Sequence, residues 1–240
     1  MRRPLSIMRA DTGKGWLEFL YKPVGLGLSH LAERTDGERV SVLGPIGHGF
    51  SPDPDRPRIL ALGGGVGIPP IYFLAERLQA NAGFDMFVIM GSEIPFPFKL
   101  VNAKNKIPGI PVSVSKEVGD LAAWGIDSRL ASNAGFEGCH TGFVTDPARS
   151  WLEALDSATL DEVQIVGCGP MPMLAATAAL AREFGLPCQV AVEEHMACGV
   201  GGCAGCTLLL QTPEGPAMKR VCVDGPVFDA EQVFSPTANR

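Results

Sequence analysis

Four of the chain's seven cysteines crowd into the span Cys198–Cys222. They run Cys198-x4-Cys203-x2-Cys206, and Cys222 follows after a further fifteen residues. Thiolates are soft ligands for zinc and for iron–sulfur clusters, and the C-x4-C-x2-C…C spacing is that of plant-type [2Fe–2S] centres. Two irons take four thiolates, and three of these must converge from one short loop. Gly199, Gly201, Gly202 and Gly205 allow such a loop its unusual dihedrals and its close backbone approach to sulfur. Cys222 is expected on the returning strand of a hairpin, Thr207–Gln211 and Lys219–Val223, that turns at Pro213-Glu214-Gly215. A structural zinc site also uses four cysteines, but zinc ribbons carry two C-x2-C knuckles and this chain carries one. The odd cysteine count speaks against a secreted disulfide framework, and clustered thiols in a reducing compartment point to metal. Cys188 reads as core, and Cys168 sits in a turn where it could face a ligand. Cys139 and His140 have no assigned role.

A second chemistry is carried by glycine turns. Gly63-Gly64-Gly65-Val66-Gly67-Ile68-Pro69-Pro70 follows an apolar strand and opens a helix, the topology of a dinucleotide-binding turn without its G-x-G-x-x-G fingerprint. Gly64, Gly65 and Gly67 would let backbone approach phosphate. Cys168-Gly169-Pro170-Met171 is a second strand-to-helix turn, and the two could flank a nicotinamide at the carboxyl ends of their strands. Gly91-Ser92-Glu93 follows another strand, and an acidic residue there suits a ribose 2′-hydroxyl, predicting NAD over NADP. Near the start, Arg3-Pro4-Leu5-Ser6 offers a guanidinium for a pyrophosphate and a hydroxyl for a flavin. Leu20-Tyr21-Lys22 and Gly25-Leu26-Gly27 precede an expected helix, Leu28–Glu33, whose N-terminus is an anion site.

These residues need elements to hold them. Residues 1–50 read as β-rich, with strands at Trp16–Tyr21 and Arg39–Leu43, and residues 51–57 read as a linker. Strands at Arg58–Leu62, Asp85–Met90, Glu162–Val166 and Pro187–Val192 alternate with helices from Pro69 to about Ala82 and over Met171–Phe184. That alternation indicates a parallel sheet; the stretch 92–145 is less clear. A net charge of −6 with no Lys/Arg run gives no reason to expect nucleic acid or membrane as a partner. The longest apolar stretches, Ile59–Leu74 and Ile165–Ala181, are shorter than a membrane span, and no apolar signal core follows the basic start, so a cytoplasmic protein is expected.

Taken together, the motifs resemble the electron-transfer subunit of the NAD-linked (class B) dihydroorotate dehydrogenases, in the ferredoxin–NADP reductase-like superfamily. The matching segments include Arg3–Ser6, Leu20–Lys22, Gly25–Leu28, Gly44-Pro45-Ile46-Gly47, Gly63–Pro70, Cys168–Met171 and Glu193–Gly201, with Cys203, Cys206 and Cys222–Phe228. The resemblance implies a multi-domain fold. A partial antiparallel β-barrel for the flavin would occupy 1–52, an α/β parallel-sheet nicotinamide domain 53–192, and a small C-terminal [2Fe–2S] module 193–240. It places Arg3, Pro4, Leu5, Ser6, Leu20, Tyr21, Lys22, Gly27 and Leu28 at FAD-contact positions. It implies that electrons pass from the FMN of a separate dihydroorotate-oxidising catalytic subunit through the cluster to FAD, and on to NAD, in pyrimidine biosynthesis. Small subunits of other NAD(P)H-linked ferredoxin oxidoreductases or hydrogenases share these features, and a zinc-stapled interaction module is the reading from another class. No side chain has to act as acid or base, so no catalytic residue is named.

The sequence departs from the family in three places. The family sets several strands before its Arg-x-x-Ser motif, so the barrel is expected to lack its first strands and the 240-residue chain to bind FAD weakly on its own. Leu28 replaces a threonine, with Ser29 beside it. His195 stands where an arginine is expected.

Overall fold

The computed structural model describes residues 3–235. An antiparallel hairpin, β1 (Ile7–Asp11) and β2 (Trp16–Phe19), leads into helix α1 (Gly25–Ala32). An α/β unit follows with β3 (Arg58–Gly64), α2 (Ile68–Leu78) and β4 (Asp85–Gly91). Next come the short antiparallel pair β5 (Leu100–Asn102) and β6 (Lys116–Val118), then α3 (Gly119–Ala123) and β7 (Asp127–Ala131). The unit continues through α4 (Thr145–Glu153), α5 (Ser157–Leu160), β8 (Val163–Cys168), α6 (Met171–Phe184) and β9 (Cys188–Ala191). After the cysteine loop lie the hairpin β10 (Thr207–Thr212) and β11 (Gly215–Arg220), then β12 (Val227–Asp229) and α7 (Ala230–Val233).

The central sheet has six strands in the order β12-β9-β8-β3-β4-β7, all parallel except β12. Its middle strands are apolar on both faces, as covered parallel strands must be. Leu60, Leu62, Phe87, Ile89, Val163 and Ile165 face one core with α4 and α6. Ile59, Ala61, Met86, Val88, Met90 and Val166 face the other with α2 and α3. Each helix buries a stripe at helical spacing: Ile68, Ile71, Tyr72 and Ala75 on α2, and Leu174, Thr177, Ala178 and Ala181 on α6. Gly185 ends α6 in the left-handed region, φ 67°, where a side chain would be strained.

Two expectations need correction, and one unassigned stretch is resolved. The run Arg39–Leu43 has strand composition but belongs to no strand or sheet among the described residues, and Val40 and Val42 stay exposed. Strand propensity reflects packing against neighbours, and no described strand is hydrogen-bonded to this run to provide it. The hairpin after the cysteine loop closes tightly, with Thr212 opposite Gly215, so β11 is over by Arg220. Cys222 therefore sits in the following turn rather than on the strand. Within 92–145, β7 is a full member of the central sheet despite carrying Ser128 and Arg129. Buried Arg129 lies 3.6 Å from Glu117 and donates to the carbonyls of Ser128 and Asn105. Loss of solvent lowers the Arg129 pKa and raises that of Glu117.

Up to Phe50, strand pairing among the described residues is limited to β1–β2 and a bridge between His48 and Pro226. The hairpin is anchored on the α/β unit: Met8 is buried in the α2 core, and the Arg9 guanidinium meets Glu76 of α2 at 2.7 Å.

Candidate functional site

The loop 198–206 is shaped by backbone that L-residues avoid. Gly199 and Gly201 have φ of 69° and 78°, and Ala204, the one non-glycine among the described residues with positive φ, stands at 53°. This winding turns amides toward sulfur. Val200 N–H donates to Cys198 Sγ at 3.5 Å, Gly205 N–H to Cys203 Sγ at 3.4 Å, and Cys222 N–H to Cys206 Sγ at 3.4 Å. Such bonds stabilise thiolate. The amide of Val200, then the amide and thiol of Cys203, pull the Cys198 thiol down to about 6. Burial, then the neighbouring Cys206, pushes Cys222 up.

The four thiols act on one another: after the Val200 amide, Cys203 draws the Cys198 thiol down, and after burial, Cys206, then Cys198, push that of Cys222 up. Among the described residues no three His, Cys, Asp or Glu side chains are already gathered to hold a metal ion. The all-cysteine donor set, with its single C-x2-C knuckle and its loop amides facing sulfur, fits a [2Fe–2S] cluster, which takes two thiolates per iron. Cys206 and Cys222 are buried in the larger sheet core, whereas Cys203 is exposed.

Around the loop, two segments close in. Leu43 and Ile46 approach Gly199, whose added Cβ would lie 3.5 Å from each. His48 N–H donates to the Gly225 carbonyl at 2.6 Å, and Gly47, φ 78°, packs so closely on Gly225 and Pro226 that any side chain would collide. The residues before the linker are therefore seated directly on the cysteine module. His195 is exposed.

At the other end of that segment, Arg3 lies over the start of α1. A Cβ on Gly27 would come within 2.9 Å of Arg3 Nε. No side chain caps α1 at Val24, which leaves its first amides beside a guanidinium, an arrangement suited to a pyrophosphate. Pro4, Leu5, Leu20, Tyr21 and Leu28 are half-buried, while Arg3, Ser6 and Lys22 are exposed. Leu20 packs on the α2 core as well, so it is tied to the α/β unit.

The two glycine turns come together at the carboxyl ends of neighbouring strands. From β3 the chain moves outward to β4 and β7, then returns to β8 on the other side of β3. That reversal is a topological switch point, where α/β sheets open a crevice. There, a Cβ on Gly67 would collide with the Cys168 carbonyl, and Gly64 packs against Met173 and Pro170. Gly65 takes φ 55°. Pro69 and Pro70 open α2 and no side chain caps Gly67. The Cys168 thiol is pushed up to about 12 by burial and then by Glu193, which favours its protonated form. Beyond β4, Glu93 accepts from Asn133 Nδ2 at 3.1 Å. Cys139 and His140 serve the fold: burial raises the Cys139 thiol, and His140 N–H donates to Leu130 while its ring lies 3.4 Å from Asp146.

Sequence reasoning passed over Arg220. Its Nη1 donates to the Gly201 carbonyl at 3.3 Å and its Nε meets Asp224 at 3.2 Å. The bond to Asp224, then its charge, holds the Arg220 pKa up, and the Cys222 and Cys206 thiolates add to the effect.

Several known proteins share these features. The model of the iron–sulfur cluster binding domain of dihydroorotate dehydrogenase B matches residues 193–234. The electron transfer subunit of dihydroorotate dehydrogenase B (NAD(+)) from Bacillus mycoides (strain KBAB4) is 36% identical over 236 residues, 97% of this chain and 80% of that protein. Its counterpart from Geobacillus thermodenitrificans (strain NG80-2) is 37% identical over the same shares. The solved NADH-dependent reduced ferredoxin–NADP oxidoreductase, described in connection with flavin-based electron bifurcation, superimposes with a TM-score of 0.73 at 26% identity. That match covers 97% of this chain and 74% of the other. The ferredoxin reductase of carbazole 1,9a-dioxygenase shares the fold, with a TM-score of 0.55 at 21% identity over 76% of this chain and 52% of its own.

Proposed function

The chain belongs to the family of electron-transfer subunits of NAD-linked dihydroorotate dehydrogenase B, and from that premise we infer how its residues join a catalytic partner to NAD. It is the electron-transfer part of an oxidoreductase complex in pyrimidine biosynthesis, with FAD, a [2Fe–2S] cluster and NAD as its cofactors. The observation that carries the reading is a cysteine loop whose backbone amides face the sulfurs of Cys198, Cys203 and Cys206, with Cys222 held against Cys206.

In this reading Cys198 and Cys203 hold one iron, and Cys206 and Cys222 the other. Arg3, with the amides of Gly27 and Leu28 at the start of α1, binds the FAD pyrophosphate, and Pro4, Leu5, Ser6, Leu20, Tyr21 and Lys22 line the flavin. Gly64, Gly65 and Gly67 face Cys168, Gly169 and Pro170 across a crevice that takes the nicotinamide. Bound FAD supplies the exchange between two-electron hydride chemistry and single electrons. The side chains bind and orient, and none has to move a proton. We divide the chain into a flavin part of barrel type over 1–52, a nicotinamide domain over 53–192 and a cluster module over 193–240, the last lending β12 to the central sheet. The catalytic partner would carry FMN, and the complex would be cytoplasmic. Among the described residues no helix is long and apolar enough to cross a membrane.

Purified without oxygen, the protein should contain about two irons and two sulfides per chain. Its visible spectrum should show flavin and cluster together, and NADH should bleach both. Stoichiometric zinc without iron would refute the reading. The choice of nicotinamide gives a further test. Glu93, steadied by Asn133, would accept from a ribose 2′-hydroxyl and repel a 2′-phosphate. NADH should therefore bind at least tenfold more tightly than NADPH, ~1.4 kcal/mol, and Glu93→Gln should narrow the gap. Tighter binding of NADPH in a calorimetric titration would remove Glu93 from this role.

A further inference from the structure

The turn that brings Cys222 back to the cysteine loop is organised by one cation. Arg220 ends β11, two residues before Cys222. Its backbone N–H and its Nε both bond the same oxygen of Asp224, at 2.7 and 3.2 Å, and Asp224 N–H returns to the Arg220 carbonyl at 2.7 Å. The side chain then reaches across to the Gly201 carbonyl, in the middle of the Cys198–Cys203 turn. A Cβ on Gly201 would stand 3.1 Å from Arg220 Nη1 and 2.7 Å from Val223, so the loop comes as near the guanidinium as backbone allows. Asp224 and the Gly201 carbonyl thus fix the guanidinium against the Cys198–Cys203 turn, two residues from Cys222 in the chain.

We propose that Arg220 sets the reduction potential of the cluster, holding a permanent positive charge against the Gly201 carbonyl of the Cys198–Cys203 turn, two residues from Cys222, with Asp224 as its orienting counter-charge. The proposal rests on the assignment of the four cysteines to a [2Fe–2S] cluster. Reduction adds one electron, supplied by the flavin or by the catalytic partner, and so one negative charge to a group already bounded by four thiolates. No proton need accompany it. A guanidinium stays charged throughout the accessible pH range, so it favours the reduced form and raises the potential. The Arg220 side chain is 42% exposed, so solvent and salt screen the effect to a modest size. A lysine would carry the charge but not the fork that bonds Asp224 and Gly201 together.

The test compares Arg220→Gln, Arg220→Lys and Asp224→Asn with the unaltered protein. Iron and sulfide are counted first, and the cluster potential is then measured by dithionite titration followed by electron paramagnetic resonance, at low and high salt. Arg220→Gln should keep the cluster and make it roughly tenfold harder to reduce, about 59 mV lower for one electron. Arg220→Lys should fall between, and high salt should shrink the differences. Asp224→Asn removes the counter-charge and should move the potential upward. A role confined to clamping the loop would change cluster retention but not produce opposite shifts. Potentials for Arg220→Gln and Asp224→Asn that match the parent, or that shift in the same direction, would overturn the proposal. If Arg220→Gln cannot hold the cluster, Asp224→Asn decides alone, a higher potential supporting the proposal and an equal or lower one overturning it. An unaltered protein without iron would overturn the cluster assignment, and the proposal with it.

Discussion

Cys203→Ser is expected to leave a folded protein that has lost its cluster. Cys203 is the exposed member of the four, and its Sγ meets the amide of Gly205 and the thiol of Cys198. An exposed substitution of this size changes stability by no more than about 0.5 kcal/mol. A serine oxygen is a hard, weakly acidic donor that replaces thiolate poorly on iron. Iron should fall at least tenfold, and transfer of electrons from dihydroorotate to NAD+ in the assembled complex by about a thousandfold, ~4 kcal/mol in the barrier. Oxidation of NADH by an artificial dye, which needs only flavin and nicotinamide, should persist. Cys222→Ser makes an informative contrast. Cys222 is buried in the sheet core, so its serine variant should lose iron and also about 1–3 kcal/mol of stability, from a hydroxyl placed among apolar groups. Iron analysis and thermal unfolding separate the two effects. A Cys203→Ser protein that keeps both irons and full activity would show that this sulfur is no ligand.

Gly67→Ala should have the next largest effect, on nicotinamide. The backbone of Gly67 is unremarkable, φ −84°, so the demand for glycine comes from crowding. An added methyl would collide with the Cys168 carbonyl and the Gly169 nitrogen, both backbone atoms in a turn fixed by β8 and α6. The two turns must part, at a cost of about 1–3 kcal/mol for an overpacked site. Because these turns form the walls of the crevice, NADH affinity should fall by a factor of roughly 10–100, ~1.4–2.7 kcal/mol, while the flavin and cluster spectra stay as they are. Gly64→Ala serves as the comparison. Its methyl meets chiefly the flexible end of Met173, which can move aside, so the loss should be smaller. Unchanged NADH binding in Gly67→Ala would place the nicotinamide elsewhere.

Where a residue's role depends on near neighbours in the chain, the sequence was a good guide. The apolar runs of β3, β4 and β8 announced a covered sheet, and α6 spans the same residues, Met171–Phe184, that its stripe and flanking Pro170 and Gly185 predict. The cysteine spacing and its glycines likewise marked the loop. Features set by distant partners were hidden. β7 lies in the stretch 92–145 that the sequence left unclear, and its Arg129 makes sense only beside Glu117 and the Asn105 carbonyl. Arg39–Leu43 misled in the opposite way, with strand-forming residues and no strand to join. Arg220 gave no signal, since the carbonyl that orients its side chain lies 19 residues earlier.

The placement of β12 has a consequence for how the protein is made. β9 carries Val190 and Ala191 at the margin of the central sheet, and β12 covers that margin by pairing Val227 with Ala191, Phe228 with Val190 and Asp229 with Gln189. Synthesis reaches β12 only after the cysteine loop and the β10–β11 hairpin. Until then a nascent nicotinamide domain would present a bare apolar strand edge, the kind that pairs with other chains. The segment that binds the cluster thus also finishes the sheet, and a ribosome stalled between Cys198 and Cys222 would leave a sticky intermediate that holds neither.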